Sequence, residues 1–197
     1  MRILAVLMVL ASATAAHAVN VTDPAQVRAG DYRLEPAHTQ VLFSFGHFGF
    51  STFYGRFNSV SGSLQLDPKQ LAASQLSVSI PVDSISTGNA KLDGELRGAQ
   101  FFDAAKYPTI SFTARQVTVA HRSVAQVSGD LTMHGVTRPV TLVAKFNGAG
   151  INPIDKAYTV GFEVSGHVKR SDFGISQYVP MVSDDVTLII SAPFEAK

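Results

Sequence analysis

The densest cluster of polar side chains in the sequence directly follows its longest regular strand pattern. In the segment Arg170-Ser171-Asp172-Phe173-Gly174, opposite charges stand beside an aromatic residue and a glycine. A guanidinium matches phosphate or carbonyl oxygens well, so Arg170 and Asp172 are candidates for contacting a polar head group. An ion pair that only holds the end of the strand in place accounts for the same pattern. The sequence leaves both interpretations open.

The other titratable residues form no recognisable site. Apart from His17, the histidines are His38, His47, His121, His134 and His167, and no two have the H-x3-H spacing of metal ligands on one helix face. No nucleophile, base and orienting acid occur in a known motif, and the chain has no cysteine. We therefore predict no metal, no cofactor and no catalytic residue.

Local sequence suggests structural roles for several of these polar groups. We expect His38 to make hydrogen bonds within a turn, and His134 to form a hairpin turn with Gly135. The adjacent acids Asp184 and Asp185, like Asp93 with Glu95, carry no site signal and are predicted to be solvated.

The elements that position the polar cluster are strands. From Tyr158 to Lys169, Val160, Phe162 and Val164 alternate with polar residues, which predicts a strand with one apolar and one wet face. Twelve residues at about 3.3 Å each span about 40 Å, which is long for a strand. Other strands of this kind would form a tall sheet curled around an apolar interior.

The same alternation assigns sixteen apolar residues to that interior. They are Phe43, Phe45, Phe57, Leu64, Leu76, Val78, Ile80, Ile110, Phe112, Leu131, Met133, Leu142, Phe146, Phe162, Val164 and Leu188. The small residues on the same face are expected to leave room for a ligand chain, and they are Gly129, Ala114, Ala144, Gly166 and Ala192. If that room is absent, the sixteen side chains fill a solid core.

Interruptions in the alternation define the rest of the fold. Shifts of parity between Asn58 and Gly62 and after Ala114 predict bulges or kinks, which help a sheet to curl. Helical spacing predicts one short helix within Thr87 to Tyr107, capped by Thr87. A loop is predicted from Gly148 to Asp155. We predict an all-β fold of about eight antiparallel strands with one helical insert. A closed barrel is favoured over a sandwich because the strands are long and kinked.

The N-terminus predicts export. Arg2, an apolar run and Ala16-His17-Ala18 have the organisation of a secretory signal peptide over residues 1–18. Residues 19–30 are predicted to be a tether or a short helix, and residues 31–197 to be one domain. Without Arg2 the mature chain carries 15 basic and 15 acidic residues, which argues against nucleic acid as a partner. We expect a periplasmic protein without a transmembrane anchor.

Four segments together resemble the YceI family of periplasmic lipid-binding proteins. They are YRLEPAHTQVLFSFGHFGFSTFYGRF, LRGAQFFDAAKYPTISF, GDLTMHGVTRPVTL and KRSDFGI, and the resemblance covers nearly all of Asp31 to Phe194. It implies a lipocalin-like extended barrel whose apolar lumen holds a polyisoprenoid, such as an isoprenoid quinone or a polyprenyl phosphate. Two positions depart from the family pattern: Glu35 replaces an aspartate, and Glu95 stands where the family usually has a histidine. A role of that histidine cannot be transferred to this chain.

The resemblance implies a periplasmic binding or carrier protein for an isoprenoid lipid. Two other classes of function remain as alternatives. A small outer-membrane barrel shows the same alternation with its faces exchanged, and an enzyme could use a barrel pocket without a recognisable motif. The identity of the lipid, its pathway and the formation of a homodimer are left open by the sequence.

Overall fold

The computed structural model describes residues 21–197, which form one sheet of eleven strands. In chain order the strands are β1 (Gly30–Leu34), β2 (Gln40–His47), β3 (Ser51–Phe57), β4 (Ser61–Leu66), β5 (Gln75–Pro81), β6 (Ile85–Ser86), β7 (Thr109–His121), β8 (Val124–Met133), β9 (Val136–Ile151), β10 (Tyr158–Lys169) and β11 (Asp185–Ala196). Within the described residues there is one α-helix, α1 (Ala90–Arg97), and short 3-10 helices lie at Pro24–Gln26, Leu71–Ala73, Val82–Ser84 and Arg170–Phe173. The signal peptide predicted for residues 1–18 lies outside the described residues.

The sheet closes into a barrel because β1 pairs with β11. Its order is β1-β4-β5-β7-β8-β9-β10-β11, and every pairing is antiparallel. The strands β2, β3 and β6 continue β1, β4 and β5 past a kink, since β2 pairs with the same edge of β11 as β1. Eight strand positions result, which confirms the prediction of an all-β barrel of about eight strands with one helix.

The predicted kinks are present. The extended strand is interrupted at residues 58–60, between β3 and β4. The pairing of β7 with β8 shifts register between Ala114 and Gln116. An extra residue on one strand bends it and increases its twist. These irregularities let long strands wrap around the interior.

The helix begins later than predicted, and its cap is a different residue. Asn89 is the N-cap and accepts from the N–H groups of Lys91 and Leu92. Thr87 instead donates from its N–H and its hydroxyl to the Asp93 carboxylate, at 2.7 Å each. The predictions that Thr87 caps the helix and that Asp93 is solvated were therefore wrong. Among residues 21–197 no helix combines the length and apolar character needed to cross a membrane.

The N-terminal segment of residues 21–30 packs against the barrel. Val21 and Ala149 exchange two backbone hydrogen bonds of 2.9 Å, and Val27 is only 5% exposed. The Arg28 guanidinium lies 4.2 Å from the centre of the Tyr158 ring. β9 extends to Ile151, so the loop predicted from Gly148 to Asp155 begins four residues too early.

The residues beneath this segment are tightly packed. The Tyr32 hydroxyl donates to the Arg28 carbonyl, and Tyr32 is 1% exposed. Burial, together with the neighbouring Tyr158, raises the pKa of Tyr32 to about 12. The hydroxyl therefore stays protonated and acts as a donor that holds the N-terminal segment.

Candidate binding cavity

The barrel interior contains an elongated cavity of about 340 Å³. One water needs only about 10–15 Å³, and ligand pockets typically measure about 300–1,000 Å³. The interior is therefore not a solid core. All sixteen residues that the alternation assigned to the interior line this cavity.

Further lining residues come from places where the alternation is interrupted. Val117 and Val119 line the cavity because the bulge after Ala114 restores the inward direction of β7. Pro24, Val27 and Leu71 reach it from segments outside the strands. The parity shift was a usable sequence signal for the two valines, whereas the loop residues gave none.

Aromatic rings form much of the wall. The Phe57 ring lies 5.7 Å from Phe43 and 6.0 Å from Phe102, measured between centroids. Phe162 lies 5.9 Å from Phe146 and 6.2 Å from Phe194. The cavity can hold a long hydrocarbon, but this wall offers no group for acid, base or nucleophilic chemistry.

Two inward glycines do not provide the room that their size suggested. The Phe112 ring occupies the space at Gly129, where an added Cβ would meet its Cζ at 2.7 Å. The Leu142 side chain occupies the space at Gly166 in the same way, at 2.5 Å. Neither glycine lines the cavity, so that expectation was wrong for both positions.

Arg170 closes one end of the cavity. Its side chain lines the cavity, and the residue is 9% exposed. Its guanidinium donates to four backbone carbonyls, those of Ile175 (3.0 Å), Gln177 (2.9 Å), Val182 (2.8 Å) and Ser183 (2.9 Å). Burial lowers the pKa of the guanidinium, and Asp184 opposes that change. Four of its five N–H donors hold the β10–β11 connection, so the geometry favours a structural role.

The predicted pairing of Arg170 with Asp172 is not what the structure contains. Asp172 is exposed and does not line the cavity, and among the described residues the two side chains form no ion pair. The acid close to Arg170 is Asp184, which accepts from the Ser171 N–H at 2.9 Å and from its hydroxyl at 2.7 Å. Sequence adjacency failed here because the chain turns into a 3-10 helix directly after Lys169.

Asp184 shows that one of the acids predicted to be solvated has a structural role. Burial alone would raise the pKa of its carboxyl, but the hydrogen bonds from Ser171 outweigh that effect and the pKa lies below its usual value. His134 reinforces the same end, since its ring Nδ1 donates to the Phe173 carbonyl at 2.9 Å. His134 and Gly135 form the β8–β9 turn, as predicted, with φ values of 52° and 72°.

The opposite end of the cavity opens at the β7–β8 hairpin. Of all the lining residues within the described part of the chain, Val119, His121 and Arg122 alone are exposed. Val119 faces the cavity and is still 54% exposed. We call this opening, formed by residues 119–123, the hairpin mouth.

The remaining histidines take part in no cluster. His38 bonds to Glu35 through its Nδ1 at 2.7 Å within a turn, as predicted. Burial would raise the pKa of Glu35, but this bond and those from the backbone N–H groups of Ala37 and His38 lower it on balance. Within residues 21–197 no group of three or more histidine, aspartate or glutamate side chains is arranged to hold a metal ion.

A closed antiparallel barrel around an apolar cavity defines the class of this protein as a small β-barrel with an internal binding space. A family model described as a YceI-like domain matches residues 32–194. A UPF0312 protein of Pseudomonas aeruginosa is 38% identical over 168 residues, which are 84% of this chain and 87% of the relative. The chain belongs to the YceI-like family.

Solved structures agree with this assignment. A YCEI protein of Campylobacter jejuni is similar with a TM-score of 0.69 and 31% identity, covering 77% of this chain and 90% of that one. A polyisoprenoid binding domain from Saccharophagus degradans, implicated in plant cell wall breakdown, has a TM-score of 0.62 at 16% identity. It covers 86% of this chain and all of its own, and at this identity the likeness concerns the fold alone.

Proposed function

We propose that this protein binds one long isoprenoid lipid, an isoprenoid quinone or a polyprenyl phosphate, in the barrel cavity and carries it in the periplasm. The observation that supports this most directly is the shape of the cavity, an apolar slot closed at Arg170 and open at the hairpin mouth. The polyisoprenoid-binding description of the S. degradans domain gives independent support. The leader pattern of residues 1–18 supports export.

Burial of the isoprenoid tail supplies the binding energy. Each five-carbon unit contributes up to about 3–4 kcal/mol at roughly 0.8 kcal/mol per buried carbon. Immobilising a ligand costs about 4–15 kcal/mol. Several units are needed before binding becomes favourable, so affinity rises with tail length.

The closed end sets an upper limit to that rise. β10 has twelve residues, so it measures about 40 Å, and at the strand tilt of a barrel it stands roughly 30 Å tall. A tail that already reaches Arg170 gains nothing from another unit. We expect affinity to increase with isoprene number and then to level off.

Titration of the purified protein with a quinone series that differs only in isoprene number tests the proposal. Val164→Asp, which places a charge on the cavity wall, should abolish binding of every member. Ser165→Asp makes the same change at the next residue of β10, whose side chain is exposed, and should leave binding intact. If affinity is independent of length in the folded protein, the cavity is not a lipid site and the function lies elsewhere.

The direction of the side chains weighs against the outer-membrane alternative. A membrane-spanning barrel carries its apolar residues outside and a polar interior, whereas here large apolar residues such as Phe43, Phe112 and Phe162 face inward. Osmotic-shock fractionation of cells measures the location. We expect release with the periplasmic fraction, and recovery only from detergent-extracted outer membrane would overturn the carrier proposal.

A further inference from the structure

Four large apolar side chains are exposed outside the closed end of the cavity. Phe48 and Phe50 belong to the β2–β3 turn, and the Phe50 side chain is almost fully in solvent, at 91% exposure. Tyr178 and Met181 are exposed in the β10–β11 connection. The Phe48 N–H donates to the Met181 carbonyl at 2.9 Å, which joins the two segments. We call these four residues the apolar patch.

The chain around the patch lacks charged residues. Residues 43–55 and residues 173–183 contain no aspartate, glutamate, lysine or arginine. Surfaces of soluble proteins normally mix charges of both signs among their other residues. An exposed apolar patch without them marks a place where another molecule binds.

Two of the four side chains stand on a backbone conformation that disfavours them. Phe48 has a φ of 52° and Tyr178 a φ of 63°, in the left-handed region that bulky residues rarely adopt. Glycine and asparagine adopt it at lower cost. Because both aromatic side chains are exposed, burial does not offset the strain. Strain of this kind is typical of residues with a function outside the fold.

The patch is also connected to the wall of the cavity. The Tyr178 ring lies 6.3 Å from the ring of Phe101, which lines the cavity. Ile175 and Val182, from the same connection as Tyr178 and Met181, line it as well. The connection that closes the cavity at this end therefore also exposes part of the patch.

We propose that the apolar patch inserts into the interfacial region of a lipid bilayer and docks the protein on a membrane. Aromatic side chains favour the boundary between head groups and acyl chains, where charged side chains are costly. A bilayer accommodates side chains that protrude from turns, whereas a stable protein interface takes about 20–30 residues a side. The proposal rests on the lipid-binding function proposed above, since a carrier of membrane lipid has to reach a bilayer.

A single fluorophore tests the contact directly. The chain has no tryptophan, so Phe50→Trp reports from the patch alone. Phosphatidylcholine vesicles should shift its emission to the blue, and vesicles with brominated acyl chains should quench it. Ile154→Trp is the matched control, because Ile154 is 89% exposed but lies in the β9–β10 connection at the opposite end of the barrel. Its emission should not change.

Vesicle flotation measures the strength of docking. Phe50→Ser should lower the vesicle partition coefficient about tenfold, because one phenylalanine is no longer buried in lipid. Ile154→Ser should lower it less than about twofold, since that side chain stays in water. Raising the salt concentration from about 0.1 M to about 1 M should not release the protein, because the patch carries no charge to be screened.

Phe48→Asn separates docking from a structural role of the patch. Asparagine tolerates the left-handed conformation, so the variant should unfold at a higher temperature than wild type while its vesicle partition falls. A lower unfolding temperature with unchanged partition would show that Phe48 serves the fold, and it would overturn the proposal.

Two further outcomes would also overturn docking. One is a blue-shifted Phe50→Trp emission that depends on protein concentration and is not quenched by brominated vesicles, because a second copy of the chain then covers the patch. The other is wild-type protein that binds a quinone in solution but no vesicles, which leaves the proposed function intact. Phe50 does not line the cavity, so Phe50→Ser should bind quinone as wild type does. If folded wild-type protein binds no quinone, the proposed function itself fails.

Discussion

The two ends of the barrel each present an arginine to the cavity, and the two arginines have opposite surroundings. Arg170 is 9% exposed and gives four hydrogen bonds to carbonyls of the β10–β11 connection. Arg122 is exposed at the hairpin mouth and has no ion-pair partner in the described part of the chain. A guanidinium saturated by the protein stabilises the fold, whereas one with unused donors is available to a ligand. The residue type does not distinguish these roles, but burial and donor count do.

The largest expected effect is at the closed end. Arg170→Ala leaves the carbonyls of residues such as Ile175 and Val182 without their donor, and we expect the free energy of unfolding to fall by about 3 kcal/mol or more. Arg170→Lys should recover part of the loss, because an ammonium keeps the charge but lacks the planar fork. Urea denaturation measures both variants. Arg138→Ala serves as the surface control and should change the free energy of unfolding little. If Arg170→Ala also changes it little, the two ends do not differ as described.

The next largest effect on stability is expected at Gly129, which lies between the two ends of the barrel. At Gly129 an added methyl group would meet the Phe112 ring at 2.7 Å and the Cα of Ala114 at 2.9 Å, and backbone cannot move aside cheaply. We expect Gly129→Ala to destabilise the protein by about 2–3 kcal/mol.

Gly166→Ala is the matched variant, since the methyl group meets only the Cδ2 of Leu142 closely, at 2.5 Å. The loss should stay below about 1 kcal/mol because Leu142 can change rotamer. Its displaced side chain narrows the cavity, so lipid affinity falls while stability is nearly kept. Chemical denaturation and ligand titration of both variants measure these effects, and the reverse order of stabilities would contradict the packing of the two glycines.

A smaller effect, of the opposite sign, is expected at Ser74 on the cavity wall. Ser74→Ala removes a buried hydroxyl without a protein partner, so the ligand-free protein should keep its stability or gain up to about 1 kcal/mol. Ser84→Ala is the control. Its hydroxyl donates to the Pro81 carbonyl at 2.7 Å, and its loss should cost about 0.5–1 kcal/mol. Thermal unfolding of ligand-free protein compares the two, and a clear loss in Ser74→Ala would mean that its hydroxyl is satisfied.

The smallest effect is pH-dependent and belongs to the closed end. The pKa of Asp184 is lowered in the folded protein, so its contribution to stability is present above the ordinary value of 3.8 and is lost as pH falls through the lowered pKa. Asp184→Asn should therefore cost less than about 1 kcal/mol at neutral pH, and the difference from wild type should shrink in acid. Unfolding measured at neutral pH and below pH 3.8 checks this. A difference that grows in acid would contradict the assignment.

Much of the barrel could be predicted because strand periodicity is local. The alternation of residues such as Val160, Phe162 and Val164 defines which face is apolar, and a closed sheet has only one inside. All sixteen residues chosen in this way line the cavity. The bulge after Ala114 was also visible as a shift of parity.

The roles of the polar residues were decided only by the tertiary structure. Arg170 meets carbonyls up to thirteen residues away because the β10–β11 connection folds back over it, and no spacing rule relates those positions. The hairpin mouth depends on where the β7–β8 turn lies in the closed barrel, which sets the exposure of Arg122. Periodicity determines, for each residue of a strand, which face of the sheet its side chain lies on. Whether a donor finds an acceptor, and how exposed a side chain is, depends on the assembled barrel. The sequence alone therefore determined the apolar slot, and the fold decided which of its ends is closed and which is open.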